Sequence, residues 1–238
     1  MRFQETICSI VAADLKAGEF GIGTASTALA VGKNVPFTGA FVGAIAVQGY
    51  TGPFFGIAGM KLLRENMPAQ RVVDEIMADD PLKDSRQVLA IDVTGQTGGY
   101  SGASLTPYAG IRQGENYIIG GCGLPGQDLI DTAAKAFEET RGDLAARLLR
   151  ALEAMAGAMK ESAFSSAAIR VSKTDPYPYI DLRVDSHPEP VNQLARLIDT
   201  WRKRTGAANG AAATNGAPAG AGGTRSNGNG AAKPPNGH

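Results

Sequence analysis

Near its start the chain reads Thr6-Ile7-Cys8-Ser9-Ile10-Val11-Ala12, which sets a threonine, a cysteine and a serine at the head of an apolar run. These are the side chains that attack acyl carbons in covalent catalysis. Apolar and β-branched neighbours make the run a strand, so its side chains alternate between two faces. Thr6, Cys8, Ile10 and Ala12 share one face, and Ile7, Ser9 and Val11 share the other. Cys8 and Ser9 therefore cannot both point into one cleft. Cys8 is the stronger nucleophile where its pKa is lowered, and a small hydrophobe where it is simply buried. Ser9 is either a site residue or a buried hydroxyl bonded to backbone.

Other residues could assist such chemistry. Lys33 follows the second apolar run, where a cation could lower a nucleophile's pKa or bind a carboxylate; otherwise it is a solvated loop lysine. Gln48 ends an apolar run before "GYTGPFFG", and its amide could donate to an oxyanion or cap a strand. Cys122 lies among glycines in "IIGGCGLPG" ahead of a helix. Backbone NH groups there could bind an anion and depress a thiol pKa; a tight turn around a buried thiol is the plainer alternative. His187 and the terminal His238 are the only histidines, so His187 is the single candidate imidazole base in the folded part. Its setting, "DSHPEP", equally suits a residue that pins a helix start. So few histidines and cysteines make no zinc constellation. "GIGTAS" lacks a GxGxxG or a P-loop lysine, so no nucleotide cofactor is expected.

The 238 residues are 43% hydrophobic, 19% charged and formally neutral. That allows one large core and offers no basic excess for nucleic acid. Two cysteines suit a reduced, cytoplasmic setting rather than a disulfide framework. No run of about 18 apolar residues is present, and acidic Glu5 and Asp14 interrupt any signal-like segment, so neither membrane spanning nor export is expected. Residues 205–238 are rich in Gly, Ala, Asn and Pro and nearly free of large apolar side chains. Such a tail cannot offset its ordering entropy by burial, and it is expected to be disordered.

Residues 1–204 supply the elements that must position these candidates. "TICSIVAAD" and "FGIGTAS", joined by "LKAGE", predict a hairpin, and residues 42–48 a third strand. "FFGIAGMKLLREN" and "PAQRVVDEIMADD" have helical spacing, with Pro68 opening the second. Then come a strand–turn–strand unit in "RQVLAIDVTGQTGGYSGAS", a short strand in "NYIIGGC" and two amphipathic helices jointed at Gly142. Strands in "FSSAAIRVS" and "YPYIDLRVD" and a last helix from "PVNQLARLIDTW" complete the list. Strands arriving as hairpins argue for antiparallel sheets, and apolar residues on both faces argue for a layer on each side. The expected fold is α+β, a four-layer αββα sandwich of two mainly antiparallel sheets.

"SIVAAD", "GEFGIGTAS", "LAVGKNVP", "FVGAIAVQGYTGP", "DPLKDSRQ" and above all "YIDLRVDSHPEPVNQLARL" resemble, in order and spacing over about residues 8–200, the bacterial domain-of-unknown-function family 1028. That resemblance implies the αββα fold of N-terminal-nucleophile hydrolases. It also implies cofactor-independent hydrolysis of a C–N bond, an amide or an imine or enamine as in a deaminase, in a small carboxylated metabolite. Ser9 matches the family's register, and its usual threonine slot is Ile7. Ser26 and Thr27 resemble the family's second-strand end, which faces the active residue in such folds. The chain diverges where Cys122 replaces the usual Asn, and where "GAMKESAFSSAA" stands without the Asp and Arg of the family's segment. An N-terminal nucleophile also needs a free α-amine as base. Arg2 would keep Met1 in place, and the residues before Thr6, Cys8 and Ser9 do not resemble usual cleavage sites. The residues thus leave open a hydrolase working through Ser9, Cys8 and Ser26, with Thr27, Lys33, Gln48, Cys122 and His187 on the substrate, or a small-molecule-binding protein that has lost its nucleophile. A homo-oligomer is expected in either case.

Overall fold

The computed structural model describes residues 5–159 and 164–207. The tail from 208, the state of Met1 and residues 160–163 of the divergent segment lie outside the described residues.

The chain opens with the hairpin β1 (Ile7–Asp14) and β2 (Glu19–Ser26), turned at Gly18 with φ of 67°. Apolar side chains on both faces of these strands demand a layer above and below. A short helix α1 (Val31–Asn34), an edge strand β3 (Pro36–Gly39) and β4 (Gly43–Gly49) follow. Two helices come next, α2 (Pro53–Arg64) and α3 (Ala69–Ala78), with proline at the first turn of α2 and at the N-cap of α3. Then come β5 (Arg86–Asp92) and β6 (Thr97–Ser101), with Asp92 holding both their turn and α3. Its Oδ1 accepts from the Thr94 and Gln96 amides, and its Oδ2 from the Ala69 amide. β7 (Tyr108–Gly114) and β8 (Tyr117–Leu124) form a hairpin. Helices α4 (Asp128–Glu139) and α5 (Leu144–Ala158), strands β9 (Ser166–Ser172) and β10 (Ile180–Val184), and helix α6 (Pro190–Thr205) complete the chain.

The strands form two antiparallel sheets. One has the order β10-β9-β2-β1-β8-β7, the other β3-β4-β5-β6. Three apolar cores separate four layers. Cys8, Ile10, Ile119 and Ile169 pack against Ile130, Leu148 and Leu194 of α4, α5 and α6. Ile7, Val11, Ile22 and Ile118 meet Ala44, Ala46, Leu89 and Ile91 between the sheets. Ile45, Val47 and Val88 pack against Met60, Val72 and Ile76 of α2 and α3. The expected αββα sandwich is therefore the observed one. No helix among the described residues is long and apolar enough to cross a membrane.

Candidate functional site

Strand alternation puts Ser9 on the inter-sheet face and Cys8 on the helix face. Two registers then bring polar residues together across that layer. In the larger sheet Ser9 pairs with Thr24 on β2 and Gly120 on β8. In the smaller sheet Gln48 of β4 pairs with Gln87 of β5, which pairs with Ser101 of β6. Ser9, Thr24, Gln48 and Gln87 are all at most 1% exposed. Burying such groups is costly unless each finds a partner.

The hydrogen-bond pattern fixes the orientation of every amide. Gln87 Nε2 faces the carbonyls of Gly110 and Gly121 at 3.0 and 3.3 Å, and Ser101 Oγ at 3.1 Å. An amide oxygen there would confront two carbonyls, so Gln87 Oε1 must point the other way. It accepts from Gln48 Nε2 at 2.6 Å, and Gln48 Nε2 also meets the Gly120 carbonyl at 3.2 Å. Gln48 Oε1 is left facing Ser9 Oγ at 2.6 Å. An amide oxygen only accepts, so Ser9 donates to it. Thr24 Oγ1 lies 2.8 Å from Ser9 Oγ and 3.2 Å from the Cys8 carbonyl. Gly120 makes room for the amides: a Cβ there would sit 3.1 Å from Gln87 Oε1 and 2.8 Å from Leu89 Cδ2.

This order of donors bears on chemistry. A serine nucleophile needs a base that can remove its proton. Ser9 offers its proton to a carboxamide oxygen, which is far too weakly basic to take it. The network is internally satisfied and ties the two sheets together.

A second cluster lies at the start of β1. Thr6 N donates to Thr27 Oγ1 at 3.0 Å, and Thr6 Oγ1 donates to the Gly123 carbonyl at 2.9 Å. Gly123 holds a φ of 68°, and a Cβ there would lie 2.8 Å from the Glu5 carbonyl. Ser26 is fully buried; its Oγ donates to the Thr6 carbonyl at 3.2 Å and accepts from the Ala28 amide at 3.0 Å. Ile7 is buried between the sheets.

The remaining candidates stand apart from Ser9. Cys8 is wholly buried in the helix-side core. Cys122 is wholly buried between the sheets, where burial and the charge of Glu5 push its thiol up to about 12. The glycine-rich turn therefore does not depress this thiol. Lys33 is exposed on α1. His187 Nδ1 accepts from the Glu189 amide at 2.9 Å, and its own amide donates to the Ser165 carbonyl at 2.9 Å. It organises the entry to α6 with one ring nitrogen already engaged. Among the described residues no group of three His, Cys, Asp or Glu could hold a metal ion.

At the opposite end of β1 the surface opens into a cavity of about 440 Å³. It is lined by Asp14 and Glu19 of the first hairpin, Asp143 at the head of α5, Lys173 and Val171 on β9 and beyond, and Tyr179 before β10. These residues were not legible as a site, because they meet only when β1, β2, β9 and α5 come together at one end. The one local signal is Glu19, a carboxylate heading a strand whose next four residues are apolar or glycine.

A family model described as "Family of unknown function (DUF1028)" matches residues 7–194. A crystal structure of the DUF1028 protein SPO2555 from Silicibacter pomeroyi is 28% identical, with a TM-score of 0.78, covering 83% of this chain and 89% of that one. Thiobacillus denitrificans BPH in complex with epoxomicin matches at 13% identity and a TM-score of 0.42, covering 72% of this chain and all (100%) of that one. Anbu, the ancestral beta-subunit, from Yersinia bercovieri matches at 10% identity and a TM-score of 0.40, covering 87% of this chain and 100% of that one. No curated protein matches the sequence.

Proposed function

This chain belongs to the DUF1028 family of unknown function, and we propose that it binds a small molecule on a nucleophile-type sandwich without using a nucleophile of its own. One observation carries the reading: the amide order from Gln87 to Gln48 commits the Ser9 proton to an oxygen that cannot remove it. The raised Cys122 thiol supports it. The ligand enters the cavity between the first hairpin, β9 and α5, whose volume suits a small metabolite.

A second reading is hydrolysis of a C–N bond, amide or imine, in a small carboxylated metabolite. The specific observation in its favour is Thr6 N, 3.0 Å from Thr27 Oγ1. Cleavage after Glu5 would turn that nitrogen into an α-amine beside a hydroxyl, the arrangement an N-terminal base needs. Thr6 Oγ1, however, already donates its proton to the Gly123 carbonyl.

The test is turnover of a panel of small amides and enamines by the wild type, Ser9→Ala and Thr6→Ala. The binding reading predicts no turnover by any of them above the buffer rate. Turnover that falls at least a hundredfold in Ser9→Ala or Thr6→Ala, with the fold intact by circular dichroism, would replace it by the hydrolase.

A further inference from the structure

The outer face of α2 is apolar where its neighbour in the same layer is charged. Helical spacing sets Phe54, Ile57, Ala58 and Lys61 on one face, opposite the buried Gly56, Gly59, Met60 and Leu63. Phe54 is 81% exposed, more than any other large hydrophobic side chain among the described residues, and Ile57 is 58% exposed. The neighbouring α3 turns Gln70, Arg71, Asp74 and Glu75 to solvent instead. The turn from β3 to β4 adds a third apolar side chain. Phe41 is 65% exposed there and holds a φ of 58°, a left-handed conformation that suits Gly or Asn better than an aromatic residue. Gly39 and Val42 of the same turn lie against Met60, so Phe41 stands beside the second half of α2. Neither turn chemistry nor the core accounts for these three side chains.

The charges along α2 complement a second, antiparallel copy of the same helix. Its first turn has Gly52 as N-cap, no side-chain cap and no acidic residue. Its last turn carries Lys61 and Arg64, and Glu65 is its C-cap. None of these three makes an ion pair among the described residues. A twofold axis passing between Ile57 and Ala58 sets position 54 of one copy against 61 of the other, and 50 against 65. Lys61 then lies over the Phe54 ring of the second copy. Glu65 comes to that copy's acid-free first turn, where the helix dipole favours it. The two Lys61 positions stay about 10 Å apart along the axis. The small Ala58 at the centre lets the backbones approach closely. A parallel crossing would instead set Lys61 on Lys61 and leave both first turns without an acid.

We propose that this face is the contact of a homodimer, in which two copies of α2 pack antiparallel with Phe54 as the anchor and the Phe41 turn flanking the second copy's Phe54. Phe41, Phe54 and Ile57, with the exposed Tyr50 ahead of the helix, present roughly 500 Å² of side-chain surface per copy. A twofold contact counts that surface twice, about 1,000 Å², which is the lower bound of a specific interface. The dimer is therefore a weak one that forms at micromolar concentrations. It is independent of the ligand reading above.

Sedimentation of the full chain from about 1 to 300 µM tests this, and the mass is expected to rise from 24.6 kDa toward twice that value. Phe54→Asp and Ile57→Asp should each weaken association at least about tenfold. An acid in the first turn suits the helix dipole, so Phe54→Asp leaves the fold intact, which an unchanged Tm checks. Tyr177→Asp, equally exposed but in the loop before β10, should leave association unchanged. Cysteine pairs read the orientation, since Cys8 and Cys122 are both buried. Under mild oxidation Ala58→Cys should link two copies through a symmetric disulfide. Glu65→Cys should not, because those positions lie about 22 Å apart in the antiparallel pair. A chain that stays monomeric at 300 µM would overturn the proposal and leave the face to a different protein. A dimer that is indifferent to Phe54→Asp and Ile57→Asp would place the interface elsewhere and overturn it too. Linkage through Glu65→Cys instead of Ala58→Cys would overturn the antiparallel arrangement.

Discussion

Replacing Gln87 by leucine is expected to lower Tm by about 10 °C while leaving the shape of the layer filled. The side chains are close in volume, so the effect comes from orphaned polar groups rather than from a cavity. Gln87 Nε2 serves the Gly110 and Gly121 carbonyls and Ser101, and its oxygen serves Gln48. Each buried group left without a partner costs about 1–3 kcal/mol, so a total of about 3 kcal/mol is a conservative sum. For a domain of this size each kcal/mol moves Tm by about 2–4 °C. Gln48 also loses the contact that fixes its orientation, and with it the acceptor that holds the Ser9 proton. Ser9→Ala removes only one end of the chain and should cost about 1 kcal/mol. The order of the two variants is the informative result. A network that merely lined a solvent-filled site would tolerate both.

The second large effect is expected from Asp80→Ala. Arg86 Nε lies 2.5 Å from Asp80 Oδ2, and the two side chains are 6% and 2% exposed. Arg86 also donates to the Tyr50 carbonyl and lies over the Phe55 ring at 4.4 Å, which ties the loop after β4 to the start of β5. Removing the carboxylate leaves a buried guanidinium without its counter-charge, at a cost of about 3–5 kcal/mol. Exchanging both partners for apolar residues, as in Asp80→Leu with Arg86→Met, should cost much less than the single change. Burial alone would raise the Asp80 carboxyl. The hydrogen bonds from Arg86 and the Leu82 amide, with the charges of Arg86 and Lys83, outweigh it and hold the group below the ordinary 3.8. A carboxyl depressed in the folded state stabilises fully above the unfolded value and loses that contribution as pH falls through the folded one. Urea melts from pH 5 down to pH 2 should therefore show a steeper loss of stability in the wild type than in Asp80→Ala.

Much of the fold could be read from residue pattern, and the exceptions share a cause. The first hairpin, the paired helices and the turn at Asp92 carry periodicity or turn chemistry strong enough to read locally. β3 and β7 went unread, and both are edge strands, each hydrogen-bonded to one neighbour only. β3 has four residues, and β7, "YAGIRQG", is half-buried with no alternation. With neither length nor alternation to mark them, β3 and β7 owe their conformation to the neighbour, which local pattern does not contain, whereas the edge strands β6 and β10 carry turn or alternation signals of their own. At the site, parity alone separated Ser9 from Cys8, and Gln48 stood out as a polar end to an apolar run. Thr24 and Gln87 did not, because a polar residue in a buried strand is defined by its register partners. Gln87 meets Gln48 only when β4 pairs with β5, and both meet Ser9 only when the two sheets stack.

The central claim is that the Ser9 hydroxyl is bound into the structure and not poised to attack. Intact-mass measurement of the folded protein before and after prolonged exposure to phenylmethanesulfonyl fluoride tests it most directly. The account predicts no adduct and no species whose chain starts at Thr6, Cys8 or Ser9. A sulfonyl adduct mapped to Ser9, or a mature chain starting at one of those three residues, would contradict it.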